Sequence, residues 1–247
     1  MRAEAGISKT KVNNPSRIKV WQMFDRIARR YDLLNRLLSF RQDIRWRRCM
    51  TAFLPKRDGL NVLDVATGTA DQIIALHETA GSKISSSTGV DMADQMLNLG
   101  RKKVLKNFPN DKINLKSGNA IMLPFSDEQF DVVTMAFGIR NVTDVNRALQ
   151  EMFRVLKPAG RLLVLEFSLP QNYVVKNLYL FYFRYILPLL GALISGDNYA
   201  YRYLNKTVES FPYGQEFVNM IQNAGFTHSQ VFPLSFGIAS IYCGEKN

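Results

Sequence analysis

A turn of small residues follows the first apolar strand that the sequence predicts, and it can bring the backbone close to a ligand. The segment runs from Val62 to Asp71 and contains one glycine, Gly68. In open α/β sheets, ligands bind outside the carboxyl ends of the strands, which is where this turn lies. Asp91 ends the second predicted strand, 23 residues after Gly68. A carboxylate there can accept hydrogen bonds from both ribose hydroxyls of a nucleoside.

The ligand that these residues predict is a nucleoside without a phosphate chain. The dinucleotide fingerprint needs three glycines to seat a pyrophosphate, and this turn has only Gly68. A lysine of the Walker A type is also missing from the turn. The turn resembles motif I of class I methyltransferases, whose cofactor is S-adenosylmethionine. A strand turn that binds no cofactor is the alternative, and Asp91 at its spacing argues against it.

Strands and helices alternate over residues 58–247, and they must hold the turn in place. The predicted strands are 61–66, 87–91, 113–117, 130–137, 161–167, 227–232 and 238–243. The predicted helices are 71–80, 93–107, 144–157, 173–195 with a break at Pro188, and 214–224. This alternation predicts a parallel sheet with helices on both faces. With the motif I resemblance, we expect a class I, Rossmann-like α/β domain with a mostly parallel seven-stranded sheet.

The N-terminal part of the chain carries the whole net charge of +11. Residues 1–57 contain 15 Lys and Arg against 4 Asp and Glu, whereas residues 58–247 contain 17 of each kind. Residues 1–18 predict a flexible basic arm, and residues 19–57 a helical extension of a single domain spanning 19–247. A basic segment attracts the phosphates of nucleic acid or of anionic lipid. A solvated face without a partner is the alternative.

Composition excludes several other classes of protein. A chain that is 47% hydrophobic and 21% charged is ordinary for a globular domain. Two cysteines far apart and two histidines cannot build a structural zinc site, so we expect no metal. Neither a signal peptide nor a run of ~18 uncharged apolar residues is visible. We therefore expect a cytoplasmic protein that contacts the inner face of the membrane at most peripherally.

Three further motifs point to one methyltransferase family. In chain order they are Tyr31–Asp32 with Asn35, Ser39 and Trp46; Phe137–Val142; and Arg154–Ser168. They resemble the signatures of the ubiquinone and menaquinone biosynthesis C-methyltransferases, and the resemblance covers roughly residues 20–243 in the family order. The first and last motifs are quite specific, whereas Val155–Pro158 alone is common among small-molecule methyltransferases.

The resemblance implies transfer of a methyl group from S-adenosylmethionine to a ring carbon of a polyprenylated quinol. We favour demethylmenaquinol as the acceptor and keep the ubiquinone precursor, or both, as the alternative. The cofactor residues that it implies are Gly68, Thr69, Asp91, Asn119, Ala120 and Ala136. The family usually has serine where this chain has Ala136, so a side-chain contact with the cofactor at this position is in doubt. It usually has glycine where this chain has Ala70 and Ala159.

The chemistry of the reaction suggests roles for further residues. Arg140 and Asn141 follow the fourth strand, where the methyl group would be. Arginine is a poor base, so we expect Arg140 to stabilise the developing phenolate while a water carries the proton. A structural ion pair is the alternative for Arg140. Tyr31, Asn35 and Trp46 are expected to shape the quinol pocket, or else to pack the N-terminal helices. The aromatic stretch 173–194 is expected to line the isoprenoid entrance, or else to form a core helix that covers the sheet.

Three other functions are weaker alternatives. A nucleic-acid methyltransferase suits the basic segment, but such enzymes usually carry Asn or Asp before Pro-Pro-aromatic after strand four, where this chain has Ala136–Arg140. We therefore expect no nucleic-acid partner. A non-catalytic binding protein would be marked by a broken turn or the loss of Asp91. A methyltransferase for another small aromatic or lipid would share the cofactor site alone.

Overall fold

The structure is a computed structural model that describes residues 20–187 and 198–247. The predicted arm at 1–18 and the predicted break at Pro188 lie outside the described residues, as does the end of the helix predicted to reach residue 195. No helix within the described ranges is long and apolar enough to cross a membrane.

Seven strands form one sheet, as the alternating pattern predicts. The strands are β1 (Leu60–Val65), β2 (Ile84–Asp91), β3 (Ile113–Ser117), β4 (Phe130–Ala136), β5 (Leu156–Phe167), β6 (Thr227–Leu234) and β7 (Ala239–Glu245). Their order is β3-β2-β1-β4-β5-β7-β6. Only β7 runs antiparallel to its neighbours, so the sheet is mostly parallel and the predicted fold class is confirmed. The strand order reverses beside β1, which pairs with β2 on one side and β4 on the other. That reversal is where sheets of this kind bind ligands.

The helices cover both faces of the sheet. They are α1 (Val20–Leu38), α2 (Gln42–Cys49), α3 (Asp71–Ala80), α4 (Asp94–Asn107), α5 (Val145–Val155), α6 (Tyr173–Phe181), α7 (Asn198–Ser210) and α8 (Gln215–Asn223). Successive strand residues belong to different buried clusters: Leu63 packs with α5 and α8, and Val62 packs with α2 and α3. Because side chains alternate along a strand, this division means that each face has its own core.

The N-terminal extension is helical, as expected over 19–57, and consists of two helices, α1 and α2, followed by a short turn of helix at Met50–Phe53. Left-handed backbone at Phe40 (φ 51°) and Arg41 (φ 61°) ends α1 and redirects the chain into α2. Non-glycine residues rarely adopt this conformation in a helix, so the helix stops there. The turn lets α2 pack against α3 while α1 lies against α4.

The boundary between α5 and β5 also differs from the one expected. Helix α5 ends at Val155 and β5 begins at once with Leu156, whereas the sequence predicted helix to Lys157 and strand from Arg161. Pairing of Leu156 with Phe130 extends the strand, and the register shifts before Arg161. Ala159 takes a left-handed φ of 57° in this irregular stretch. Helix α7 was not predicted as an element.

Candidate active site

The turn after β1 is tightly wound and depends on small residues. Ala66, Gly68 and Ala70 all have left-handed backbone, with φ of 55°, 55° and 65°. The Thr67 N–H donates to Val90 O at 3.0 Å, which ties the turn to the end of β2. Ala70 and Ala159 are the two positions where the resemblance expects glycine, and both have the conformation that glycine adopts most readily.

Asp91 lies beside this turn, as its spacing predicts. Its Oδ2 accepts the Gly68 N–H at 2.8 Å, and its Oδ1 accepts the Ala93 N–H at 2.9 Å. Burial raises the pKa of Asp91 above its usual value, and these amide donors offset part of the rise. The carboxylate is thus held in one orientation at the carboxyl end of the sheet.

A cavity of about 210 Å³ opens at the turn, and we call it the turn cavity. The predicted cofactor residues that line it are Gly68, Asp91, Asn119, Ala120 and Ala136. Backbone of Gly118 and Gly138 forms part of the wall, and a Cβ on Gly138 would lie 2.7 Å from the Ala66 Cβ. Backbone exposed at these glycines, beside a fixed carboxylate, fits a nucleoside, because the backbone can approach the base and the carboxylate can bind the ribose.

Thr69 differs from the other predicted cofactor residues, because it is not among those that line the turn cavity. Its hydroxyl donates to Asp32 Oδ1 at 2.7 Å and accepts from Lys103 Nζ at 2.9 Å. Lys103 Nζ also lies 2.5 Å from Asp32 Oδ2 and 2.5 Å from Asp71 Oδ1. This ionic cluster joins α1 to the first turn of α3 and to α4.

The basic residues around this cluster determine the pKa of Asp71. Burial acts to raise the pKa of Asp71, but the nearby Arg47, Lys103 and Arg36 outweigh it and leave the pKa below its usual value. Asp71 therefore stays ionised, and the cluster fastens α1 over the turn.

A second and larger cavity, of about 400 Å³, lies under α1 and α2. We call it the aromatic cavity. Its aromatic lining residues are Phe24, Tyr31, Phe40, Trp46, Phe137, Phe167, Tyr179, Tyr182, Phe183, Tyr203 and Phe236. Tyr31, Asn35 and Trp46, the three predicted substrate residues, all line it. The Trp46 indole N–H donates to Ser235 Oγ at 2.8 Å, which fixes the ring.

The two cavities adjoin, since Phe24, Tyr31 and Phe137 line both of them. Phe137 follows β4 with a left-handed φ of 59°, and its N–H donates to Leu165 O at 2.7 Å. Its strained backbone is held by the neighbouring strand and sets the ring between the two spaces. A ligand in the turn cavity and one in the aromatic cavity would meet at these three rings.

Arg140 and Asn141 lie at this junction, one in each cavity wall. Arg140 Nη1 donates to Glu166 Oε1 at 2.7 Å and to Phe137 O at 2.7 Å. Neither Arg140 Nε nor Asn141 Oδ1 has a hydrogen-bond partner among the described residues, although both atoms are buried. Arg140 is therefore a buried ion-pair partner, as the alternative held, and it also lines the aromatic cavity.

Comparison with known proteins decides the family. Residues 9–246 match the model of the ubiE/COQ5 methyltransferase family. The chain belongs to this family. A ubiquinone/menaquinone biosynthesis C-methyltransferase of Geotalea daltonii is 43% identical over 228 residues, covering 92% of this chain and 96% of that protein. A demethylmenaquinone methyltransferase of Thermus thermophilus is 44% identical over 225 residues, covering 91% of this chain and all of that protein.

Solved structures support the fold of this ubiE/COQ5 methyltransferase family member. A methyltransferase of Thermotoga maritima, described as S-adenosylmethionine-dependent and a possible histamine N-methyltransferase, has a TM-score of 0.65 at 20% identity. It covers 92% of this chain and the whole of that one. Phosphoethanolamine N-methyltransferase 2 of Haemonchus contortus, solved with S-adenosyl-L-methionine, has a TM-score of 0.59 at 13% identity over 80% of this chain and 51% of that one.

Sequence reasoning missed several polar residues of this family member's aromatic cavity. Asp43 and Arg47, one turn apart on α2, both line it and are both buried. Glu166, at the end of β5, accepts a hydrogen bond from Arg140 Nη1. Asp43, Trp46 and Arg47 have the i, i+3, i+4 spacing of one helix face, and this signal could have placed the two charged residues beside the predicted Trp46.

A Ser-His-Asp arrangement outside the cavities plays a packing role. His77 Nδ1 lies 2.7 Å from Asp111 Oδ2, and His77 Nε2 lies 2.9 Å from Ser87 Oγ. Ser87 is buried, and none of the three residues lines either cavity. The arrangement therefore presents no nucleophile to a substrate.

Proposed function

We propose that this protein transfers a methyl group from S-adenosylmethionine to a ring carbon of a polyprenylated quinol, and that it converts demethylmenaquinol into menaquinol. The observation that carries the proposal is that Tyr31 and Phe137 line both the turn cavity, which contains the Asp91 carboxylate, and the aromatic cavity. The names of relatives 38–44% identical support the same reaction class.

The turn cavity would hold the cofactor. The Asp91 carboxylate accepts hydrogen bonds from the ribose hydroxyls, the Asn119 amide and the Ala120 backbone bind the adenine, and Gly68 and Ala136 allow close approach. The Thr69 hydroxyl would help to position α1 over the turn cavity, through its hydrogen bonds with Asp32 and Lys103. S-adenosylmethionine supplies, when bound, an electrophilic methyl group on sulfur.

The aromatic cavity would hold the quinol ring against the junction. Tyr31, Asn35 and Trp46 orient the ring, and the aromatic side chains of α6 follow the isoprenoid tail towards the surface. Alignment of the ring carbon with the methyl group is largely positioning, which rigid walls provide. Water is displaced from this apolar space, so each charge inside acts more strongly than it would in solvent.

Arg140 and Asn141 would act on the reacting centre. The unpaired Arg140 Nε can donate to the ring oxygen as negative charge develops on it, which is electrostatic stabilisation by a preorganised donor. Arginine is a poor base, so another group takes the proton. Asn141 Oδ1 can accept a hydrogen bond from the cofactor side of the junction.

The test is methyl transfer from labelled S-adenosylmethionine to a short-chain demethylmenaquinol, run beside the matching ubiquinone precursor. Label in the naphthoquinol, abolished by Asp91→Ala, supports the proposal, and label in the benzoquinol alone would replace the substrate. If S-adenosylhomocysteine raises the melting temperature but neither quinol is methylated, the cofactor site stands and the quinol assignment fails.

We also propose that the protein works at the inner face of the membrane, where its apolar substrate resides. Phe40 and Phe236 line the aromatic cavity yet are 73% and 85% exposed, so they form an apolar rim at its mouth. Phe181 and Tyr185 extend the exposed aromatic surface. Basic residues before position 58 would add attraction to anionic headgroups.

Vesicle co-sedimentation tests this membrane contact. Binding should rise with the fraction of phosphatidylglycerol, fall with salt and weaken in the double variant Phe40→Ser, Phe236→Ser. Binding that is independent of the phosphatidylglycerol fraction, and equally strong in the double variant, would contradict the idea. Transfer to a water-soluble quinol should survive the double variant, because the catalytic groups are untouched.

A further inference from the structure

Among the described residues that line the aromatic cavity, Asp43 carries the only carboxylate. It lies on the first turn of α2 and is 4% exposed. The Ser39 hydroxyl donates to Asp43 Oδ1 at 2.7 Å. The second oxygen, Oδ2, is buried and has no hydrogen-bond partner in the described part of the chain. A buried carboxylate oxygen without a donor is costly, so its presence in a cavity wall points to a ligand with an O–H group.

The titratable and charged groups that share this cavity come from every element around it. They are Tyr31 on α1, Arg47 on α2, Arg140 after β4, Tyr179 and Tyr182 in the segment that begins with α6, and Tyr203 on α7. Burial raises the pKa of Tyr31 and of Tyr179 above the usual value, so both phenols stay protonated. Arginine is a poor base, so neither of the two arginines is a candidate for taking a proton from the ligand.

The helix face that carries Asp43 reaches the junction of the cavities through Arg47. Arg47 follows Asp43 by four residues, on the same face of the helix, and its guanidinium lies 5.2 Å from the centre of the Phe137 ring. Phe137 lines both cavities. Arg47 Nε has no hydrogen-bond partner within the described ranges, and a second oxygen on the ligand could occupy it.

We propose that Asp43 is the catalytic base that takes the proton from the quinol hydroxyl next to the methylated ring carbon. This inference rests on the proposed function, and it replaces the water that the sequence suggested as the proton carrier. Asp43 Oδ2 takes the proton while the O–H electron pair stays on the ring oxygen, where Arg140 stabilises it. The neighbouring ring carbon then forms its bond to the methyl group as the bond from methyl to sulfur breaks, with that pair left on sulfur. The ring carbon loses its hydrogen to water, and Asp43 returns its proton to the oxygen, so one proton is released for each methyl transferred.

The variant Asp43→Asn keeps the size of the side chain and the acceptor for Ser39, and it removes the base. We expect its kcat on short-chain demethylmenaquinol to fall by about 10²–10⁴-fold, the usual contribution of a general base. The KM for S-adenosylmethionine and the melting shift with S-adenosylhomocysteine should stay as in the unsubstituted protein, which shows that the variant folds. Asp58→Asn, with the same charge change in an exposed turn, should keep full activity.

The pH profile separates a base from a structural carboxylate. In the unsubstituted protein kcat should fall as acid protonates the carboxylate, whereas Asp43→Asn should rise tenfold per pH unit until the quinol ionises by itself. A quinol analogue with a more acidic hydroxyl should restore much of the lost rate, and Asp43→Glu should restore part of it.

Two results would overturn the inference. One is a kcat in Asp43→Asn equal to that of the Asp58→Asn control; the other is a loss that the acidic analogue and high pH do not relieve. Failure of the proposed function looks different, because the unsubstituted protein would then transfer no methyl group to either quinol.

Discussion

Arg140 Nη1 donates to Glu166 Oε1 at 2.7 Å, and both side chains are buried, at 4% and 0% exposure. The backbone N–H of Arg140 donates to Glu166 Oε2 at 3.4 Å. The Arg140 guanidinium lies 5.2 Å from the centre of the Phe167 ring. The pair joins the turn after β4 to the end of β5 at the edge of the aromatic cavity. Glu166 thereby fixes the direction in which the free Arg140 Nε points.

Replacing Glu166 by Gln should therefore damage both stability and catalysis. The buried guanidinium loses its counter-charge, and we expect the free energy of unfolding to fall by about 3 kcal/mol. Without the fixed partner, kcat should fall at least tenfold while the affinity for S-adenosylhomocysteine stays unchanged. Urea unfolding and steady-state kinetics measure the two effects.

The control for this change is Glu209→Gln, whose partner Arg184 lies 2.5 Å away in an exposed ion pair. Its loss should cost less than about 1 kcal/mol, as surface pairs do. Equal losses in the two variants would mean that burial of the Arg140 pair has no energetic consequence.

Gly138→Ala should disturb the turn cavity through one close contact. The new Cβ would lie 2.7 Å from the Ala66 Cβ and 3.2 Å from Met135 Cγ, so the turn or the segment after β4 must shift. We expect a loss of about 2 kcal/mol in the free energy of unfolding, and weaker binding of S-adenosylhomocysteine in calorimetry.

Gly81→Ala is the matched control for Gly138→Ala. A Cβ at Gly81 meets no atom within 4 Å, and its φ is −55°. Alanine fits this conformation, so stability should stay level or rise by about 0.5 kcal/mol. If Gly138→Ala behaves like the control, the close packing of Gly138 on Ala66 is not required for binding.

Local sequence signals predicted the parts of the site that depend on the backbone. The turn at Gly68 and the carboxylate at Asp91 follow strands whose apolar pattern is plain, and a strand end fixes the location of the residue after it. The two cavities bring together Asn119, Ala120 and Ala136 with these residues, and Tyr31, Asn35 and Trp46 with one another.

Contacts between distant segments could not be predicted in the same way. The spacing of Asp43 and Arg47 places them on the helix face of Trp46, but charged residues are usually solvated, and only the packing of α2 shows that these two are buried. Thr69 sits at a predicted position, but Asp32 and Lys103 from other helices determine where its hydroxyl points. The predicted start of β5 was wrong because the pairing of Leu156 with Phe130 outweighs the strand-breaking effect of Pro158.

Lys103→Met should loosen α1 over the turn. Lys103 Nζ lies 2.5 Å from the carboxylates of Asp32 and Asp71, and its removal leaves these two negative charges without their shared cation. We expect faster amide hydrogen exchange in α1 and several-fold weaker binding of S-adenosylhomocysteine, since α1 lines both cavities.

Lys102→Met is the control, because it removes the same charge from an exposed neighbouring position. It should leave both exchange and binding as they are. The difference between the two variants in amide exchange and in binding should shrink in high salt, because salt screens partly exposed charges. Unchanged exchange in the α1 of Lys103→Met would show that apolar packing alone holds this helix.

Asp64 should make the protein less stable as the pH rises, and Asp64→Asn should remove this effect. Burial raises the pKa of Asp64 to about 6, although the Thr134 hydroxyl donates to its Oδ1 at 2.7 Å. In the unfolded chain the pKa of an aspartate is about 3.9. The folded state therefore binds the extra proton between about pH 4 and 6, and stability falls across that window.

Above pH 6 the full penalty of the buried charge applies, and two pKa units correspond to about 3 kcal/mol. The free energy of unfolding of Asp64→Asn, measured relative to the unsubstituted protein, should therefore rise by about 2–3 kcal/mol between pH 4 and pH 7 and then level off. Asparagine keeps an oxygen for Thr134, and any fixed packing cost shifts the whole curve without changing its rise. Urea unfolding at a series of pH values measures the difference, and Asp58→Asn should follow the unsubstituted protein throughout. A difference that stays constant with pH would mean that Asp64 ionises in the folded protein as it does in the unfolded chain.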